Sequence, residues 1–222
     1  NVNGLKITIN SDIPIGVGLG SSSACCVAAA ASISRLFKKL SSEEILKISI
    51  EAEKTIFPDT SGADCTVCTY GGIIEYDKIN GIKKNTDSYS LNLLIANSMI
   101  PHSTKRSVEK VSKFKENNED RFLQLCTLET KLIVEVNLAL KNKDFTMLGL
   151  KMSENQKYLE EIQISNDTLR DMIMSLKEIS LGTKITGAGD GGCIIALIRD
   201  ENLSEVPVLL GKDKECFSAK ID

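Results

Sequence analysis

Several features that would announce a function class are missing from this sequence. Charge of one sign is not in excess: 27 basic residues face 30 acidic ones, for a formal net charge of -3. A balance so near zero gives no electrostatic ground for a nucleic-acid partner. The basic clusters around Lys105-Arg106 and from Lys110 to Lys115 are broken by Glu109 and Glu116 and read as solvated helix faces. There is one histidine, His102, read as a loop residue, so a hydrolase triad has no other support. The longest apolar run, residues 24–31, falls far short of the roughly 20 residues that a membrane-spanning helix needs. No basic stretch followed by an apolar signal core opens the chain. Internal repeats and low-complexity segments are absent too.

Cysteine is present, seven times, yet without a metal-binding pattern. Cys65 and Cys68 form a lone C-x-x-C with no second pair at finger spacing, so the expectation is reduced, buried thiols in a cytoplasmic protein.

What is abundant is glycine in two short loops. Residues 13–24 read IPIGVGLGSSSA, with glycine at 16, 18 and 20 and serine at 21, 22 and 23. Residues 5–9 before it alternate apolar and polar, a strand pattern, and residues 22–36 after it are alanine-rich and helical. Strand, glycine loop and helix in that order form an anion cradle, because bare backbone N–H groups and the helix dipole face the ligand. A P-loop needs a Lys-Ser/Thr pair after its last glycine, and none follows. A dinucleotide loop needs glycine where Ser21 stands and an acidic strand end about twenty residues on. Protein-kinase signatures are missing as well.

Along the rest of the chain, Ser41-Ser42-Glu43-Glu44 opens a helix running to about Thr55. Residues 73–76 are read as a strand, Asn80-Gly81 as a hairpin turn and residues 85–90 as a linker. The domains are therefore expected at 1–90 and 91–222. In the second, residues 91–100 read as a buried strand, followed by helices over 104–114, 119–141, 145–159 and 166–179. Gly182 reads as a helix C-cap, and strands flank a second glycine loop, GAGDGG, at 187–192.

Four blocks together resemble the GHMP small-molecule kinases, and within them the mevalonate kinases. PIGVGLGSSSA resembles the second signature of the family and KITGAGDGGC (184–193) its third. EAEKTIFPDTSGADCTVCTYGG (51–72) and ANSMIPHSTKR (96–106) are similar to segments between them, in family order. The resemblance implies an α+β fold, with a ribosomal-S5-like N-terminal domain and a ferredoxin-like C-terminal domain. It implies an ATP- and magnesium-dependent enzyme that phosphorylates the 5-hydroxyl of mevalonate in isoprenoid precursor synthesis, and it is compatible with a homodimer. Other acceptors (phosphomevalonate, a sugar, homoserine) and a non-catalytic binding protein of the same fold are the alternatives.

By resemblance, Ser11, Gly16, Val17, Gly18, Leu19, Gly20, Ser21 and Ser22 bind ATP. Ser22 and Glu53 ligate magnesium, Glu53 standing eleven residues before Asp64 as the family spacing requires. One hydroxyl and one carboxylate suit a hard cation that completes its shell with phosphate oxygens and water. Asp64 is the general base, a role worth roughly 10²–10⁴-fold in rate; capping a helix that starts at Thr66 is its alternative. Ser61, Thr104, Gly187, Ala188 and Gly189 line the substrate. Asp190 stands where the family usually has glycine and is expected to point to solvent. No Gly-Glu-His first signature matches residues 1–10, so the chain is expected to be part of a longer protein.

Overall fold

The computed structural model describes residues 4–84, 90–211 and 213–221. The chain divides into two compact units. The first holds Asn1–Ile15 and Leu19–Asn85; the second holds Gly16–Gly18 and Thr86–Asp222. Three residues of the first glycine loop thus count with the second unit. The expected linker lies largely outside the described residues.

In the first unit, helix α1 (Ser21–Ser34) starts at Gly20, whose left-handed φ of 67° turns the chain into the helix. Its alanines, serines and small thiols leave room for α2 (Ser42–Lys54) and α3 (Ala63–Tyr70) to pack on it. The start of α2 is a capping box: the Glu44 N–H donates to Ser41 Oγ at 3.2 Å and the Ser41 N–H to Glu44 Oε2 at 2.8 Å. A hairpin of β1 (Ile74–Asp77) and β2 (Gly81–Lys84) follows, with Asp77 opposite Gly81. Residues 5–9, expected as a strand, are not one. Strand structure requires a paired backbone, and no described residue pairs with them; Leu5, Ile7 and Ile9 stay exposed.

In the second unit, β3 (Leu91–Asn97) leads through α4 (Thr104–Asn117), α5 (Glu119–Lys141), α6 (Phe145–Glu161) and α7 (Asp167–Ser175) to β4 (Ser180–Ile185) and β5 (Cys193–Ile198). A 3-10 turn (Asp200–Glu205), the short helix α8 (Val206–Leu210) and β6 (Cys216–Ile221) complete it, none of them anticipated. The sheet order is β4-β5-β3-β6 with every pair antiparallel. Counted within the unit, that is second-third-first-fourth, the split βαβ arrangement of ferredoxin-like folds. Leu94, Ala96, Ile185, Ile194, Ala196 and Ile198 from the sheet meet Leu169, Met172 and Leu176 of α7 and its C-terminal turn in one buried core.

Gly182 is not a helix cap but lies inside β4, where helix and strand backbones touch. A Cβ on it would sit 1.8 Å from the Gly149 carbonyl oxygen of α6, so only glycine permits the crossing. Among the described residues no helix is long and apolar enough to cross a membrane.

Candidate active site

The first unit gathers two carboxylates near the start of α1. Asp64 lies in the first turn of α3, not in a loop, and Gly62 holds the N-cap position. The capping role considered for Asp64 is therefore excluded. Its carboxylate faces the start of α1: a Cβ built on Gly20 would lie 3.5 Å from Asp64 Oδ2. Burial, and secondarily the negative charge of Glu53, hold the Asp64 carboxyl above the usual carboxylate range. No cation of the described residues contributes to that shift.

Glu53, on the last turn of α2, is only 4% exposed. Ser23 Oγ donates to its Oε1, and Thr60 Oγ1 donates to its Oε2 at 2.6 Å. The Cys65 thiol approaches the same Oε2 at 3.6 Å. The serine that reaches Glu53 is thus Ser23, not Ser22. Consecutive helical residues are turned about 100° apart, so one position decides which hydroxyl faces α2. Ser61 stands just ahead of α3, its carbonyl accepting from the Tyr76 hydroxyl. The Ser11 hydroxyl closes a local turn on the Ile13 backbone.

Among the described residues no cluster of three or more His, Cys, Asp or Glu could hold a metal ion. The first unit offers two carboxylates of like charge with no described cation between them and the hydroxyls of the serine run, while the Cys65 thiol beside Glu53 stays protonated. That donor set fits magnesium, which keeps waters and takes its remaining ligands from phosphate. It does not fit zinc. All seven cysteines are free. Only Cys65 and Cys193 are buried, so the expectation of buried thiols holds for those two. Burial, then the Glu53 charge, push the Cys65 thiol up to about 12, and it stays protonated at neutral pH.

The second unit joins the two glycine motifs. The Cys193 N–H donates to the Val17 carbonyl at 3.0 Å, and Thr186 Oγ1 donates to the Gly18 carbonyl at 3.2 Å. A Cβ on Gly192 would lie 2.4 Å from the Val17 oxygen, and one on Gly187 would lie 2.9 Å from Gly18 Cα. The loops thus lie backbone to backbone, at a separation only glycine tolerates.

The same 187–192 loop rests on helix α4. The Gly189 carbonyl accepts from His102 Nδ1 at 2.8 Å and from Ser107 Oγ at 3.1 Å. A carbonyl only accepts, so Nδ1 of His102 carries a proton, and Nε2 lies 3.1 Å from the hydroxyl of Thr104. Asp190 does not point to solvent. Its side chain is 7% exposed, with Oδ1 2.6 Å from Lys110 Nζ and Oδ2 3.1 Å from Arg106 Nε. Two cations within ion-pair reach offset part of the cost of burying a carboxylate that would otherwise seek water. Arg106 and Lys110 are correspondingly not part of a merely solvated face.

Sequence reading missed Ser23, Thr60, Ser107, Arg106 and Lys110. The α4 set had a readable signal: 103, 106, 107 and 110 follow the spacing of one helical face. A shallow groove of about 490 Å³ runs along Leu91, Asp144, Phe145 and Asp200, and both of these carboxylates are engaged within the protein. Asp144 accepts the Met147 N–H at 2.9 Å, and Asp200 accepts from Asn92 at 2.7 Å.

Comparison with known proteins agrees with this layout. Residues 1–72 match the family model described as GHMP kinases N terminal domain, and residues 136–206 match GHMP kinases C terminal. A mevalonate kinase of Thermococcus sibiricus is 36% identical over 210 residues, covering 91% of this chain and 62% of its own. One of Methanocaldococcus jannaschii is 32% identical over 216 residues, covering 95% of this chain and 67% of its own. The crystal structure of L. major mevalonate kinase in complex with R-mevalonate superposes with a TM-score of 0.83 at 26% identity, covering 91% of this chain and 65% of that one. The chain spans about three fifths of the length of the first curated relatives it matches, 60–63%. With both family domains matched in order and each carrying one of the two glycine motifs, the chain belongs to the GHMP kinases.

Proposed function

We propose that the protein transfers the γ-phosphoryl group of ATP to the 5-hydroxyl of mevalonate, giving 5-phosphomevalonate and ADP in the cytoplasm. The observation that carries this reading is Asp64. It is a carboxylate with a raised pKa, set against Gly20 at the start of α1. Backbone N–H groups at a helix start hold phosphate oxygens, and an acid beside them is placed to take a proton from an attacking hydroxyl. Mevalonate as the acceptor rests on the likeness to enzymes of that name.

In this reading Gly16, Val17, Gly18, Leu19, Gly20, Ser21 and Ser22 wrap the phosphates, with Ser11 on the nucleotide side. Asp64 accepts the acceptor's hydroxyl proton as that oxygen bonds to the γ-phosphorus and the bond from phosphorus to ADP breaks. Glu53 and the hydroxyl of Ser22 would hold Mg²⁺, which when bound would neutralise phosphate charge. Ser61, Thr104, Gly187, Ala188 and Gly189 shape the acceptor side. Positioning and charge neutralisation carry most of such a reaction, because phosphoryl transfer leaves little covalent work for the protein.

The test is an acceptor panel. The chain is incubated with MgATP and, separately, mevalonate, phosphomevalonate, galactose and homoserine, and ADP release is followed. Mevalonate-dependent release, lost in Asp64→Asn, is expected. Faster release with another alcohol overturns the substrate assignment. Nucleotide binding without turnover on any acceptor favours a non-catalytic role.

A further inference from the structure

We infer that Asp190, held by Lys110 and Arg106, is a positioning residue that fastens the glycine loops to helix α4 and so sets the phosphate-binding backbone at Val17 and Gly18. The anchor runs in a continuous chain of contacts inside the second unit. Arg106 Nε and Lys110 Nζ, in the first and second turns of α4, grip the two oxygens of Asp190 at 3.1 and 2.6 Å. One residue earlier, His102 and Ser107 hold the Gly189 carbonyl at 2.8 and 3.1 Å. The Asp190 N–H donates to the Ile164 carbonyl at 2.6 Å, fixing the loop from the α6–α7 connection as well. Two residues later the Gly192 N–H donates to Ile100 at 3.0 Å, and the Cys193 N–H donates to Val17. A shift of Asp190 is therefore passed within three residues to the backbone that carries the first glycine motif.

The backbone at Asp190 argues that the side chain is there for its charge. Its φ of 61° lies in the left-handed region, which glycine occupies freely and aspartate only occasionally. A residue held in that conformation, 7% exposed and doubly ion-paired, is kept by its partners rather than by local preference. Serving through the loop, Asp190 touches no reacting atom; Lys110 and Arg106 act one step further out.

This inference rests on the kinase reading only for its effect on nucleotide; the fastening itself is measurable without turnover. Amide hydrogen exchange of residues 187–193 and 16–18 is compared in the wild-type chain, Asp190→Asn, Lys110→Met, Arg106→Met and the charge-swapped pair Asp190→Lys with Lys110→Asp. Loss of a buried charged contact is expected to speed exchange of both segments about tenfold, with partial return in the swapped pair. Dissociation of MgATP is expected to weaken in parallel, with KM for ATP rising more than kcat falls. Unchanged exchange in Lys110→Met and Arg106→Met overturns the fastening, whatever Asp190→Asn does to folding. Faster exchange at 187–193 with no change at 16–18 and unaltered ATP affinity overturns the positioning role while leaving the ion pairs real. Absence of ATP binding by the wild-type chain counts against the kinase reading, and the exchange comparison then still decides the fastening.

Discussion

Two regions of this molecule bury acidic side chains, and they do so in opposite ways. In the second unit Asp190 is enclosed by Lys110 and Arg106, so its charge is answered within the protein. In the first, Glu53 is met only by the neutral donors Ser23, Thr60 and Cys65, and Asp64 feels burial and the charge of Glu53 with no described cation in return. A compensated charge contributes to structure. Asp64, held above the usual carboxylate range in that setting, is of the kind that concentrates at functional sites.

That contrast is sharpened most by Asp64→Asn, which keeps the shape and removes the proposed base. It is expected to lower kcat by about 10²–10⁴-fold, checked by steady-state ADP release. The corresponding change in the other region, Asp190→Asn, is expected to leave kcat within about tenfold of wild type; an equal collapse of both would erase the distinction.

Glu53→Gln is expected to weaken Mg²⁺ binding. Isothermal titration of the nucleotide-loaded chain with Mg²⁺ measures it, and unchanged affinity would remove Glu53 from the site. Lys110→Met strands one oxygen of a buried carboxylate and is expected to cost about 1–3 kcal/mol of stability, seen as a lower urea midpoint. Arg106→Met should cost less, because the Arg106 side chain is 70% exposed and its pairing is screened by water. The smallest effect belongs to Ser23→Ala, about 1 kcal/mol, since Thr60 continues to hold the other oxygen of Glu53.

Much of the fold was legible because periodic burial writes itself into the residues. Helix α5 (Glu119–Lys141) and strand β5 (Cys193–Ile198) fall where the apolar spacing puts them. The capping residues of α2 were equally plain. Residues 5–9 misled because alternation describes a strand's two faces but not its partner. Gly182 misled because a glycine near a helix end signals a cap, whereas its actual reason is the Gly149 backbone, 33 positions away in the chain. The C-terminal strand β6 escaped notice for want of a long apolar run, its burial pattern mixing exposed and half-buried positions.

Among the candidate residues, the two glycine loops stood out by residue type, and Glu53 and Asp64 by the resemblance to the family. Their partners did not. That Ser23 rather than Ser22 reaches Glu53 depends on the rotation of α1 against α2, which no local pattern encodes. Asp190 was read as solvated because its two cations lie 80 or more positions away in the chain, and ion pairs at that distance are invisible to spacing rules.

The most direct measurement is the melting temperature of wild type and Asp64→Asn from about pH 4 to about pH 8. Folded Asp64 binds its proton more tightly than the unfolded chain does, so the stability it adds is present at low pH and lost as pH rises through its raised pKa. The account predicts that Asn, carrying no charge to bury, melts higher than wild type at neutral pH and that the gap closes on acidification. Parallel curves, or an Asn variant that melts lower throughout, would contradict it.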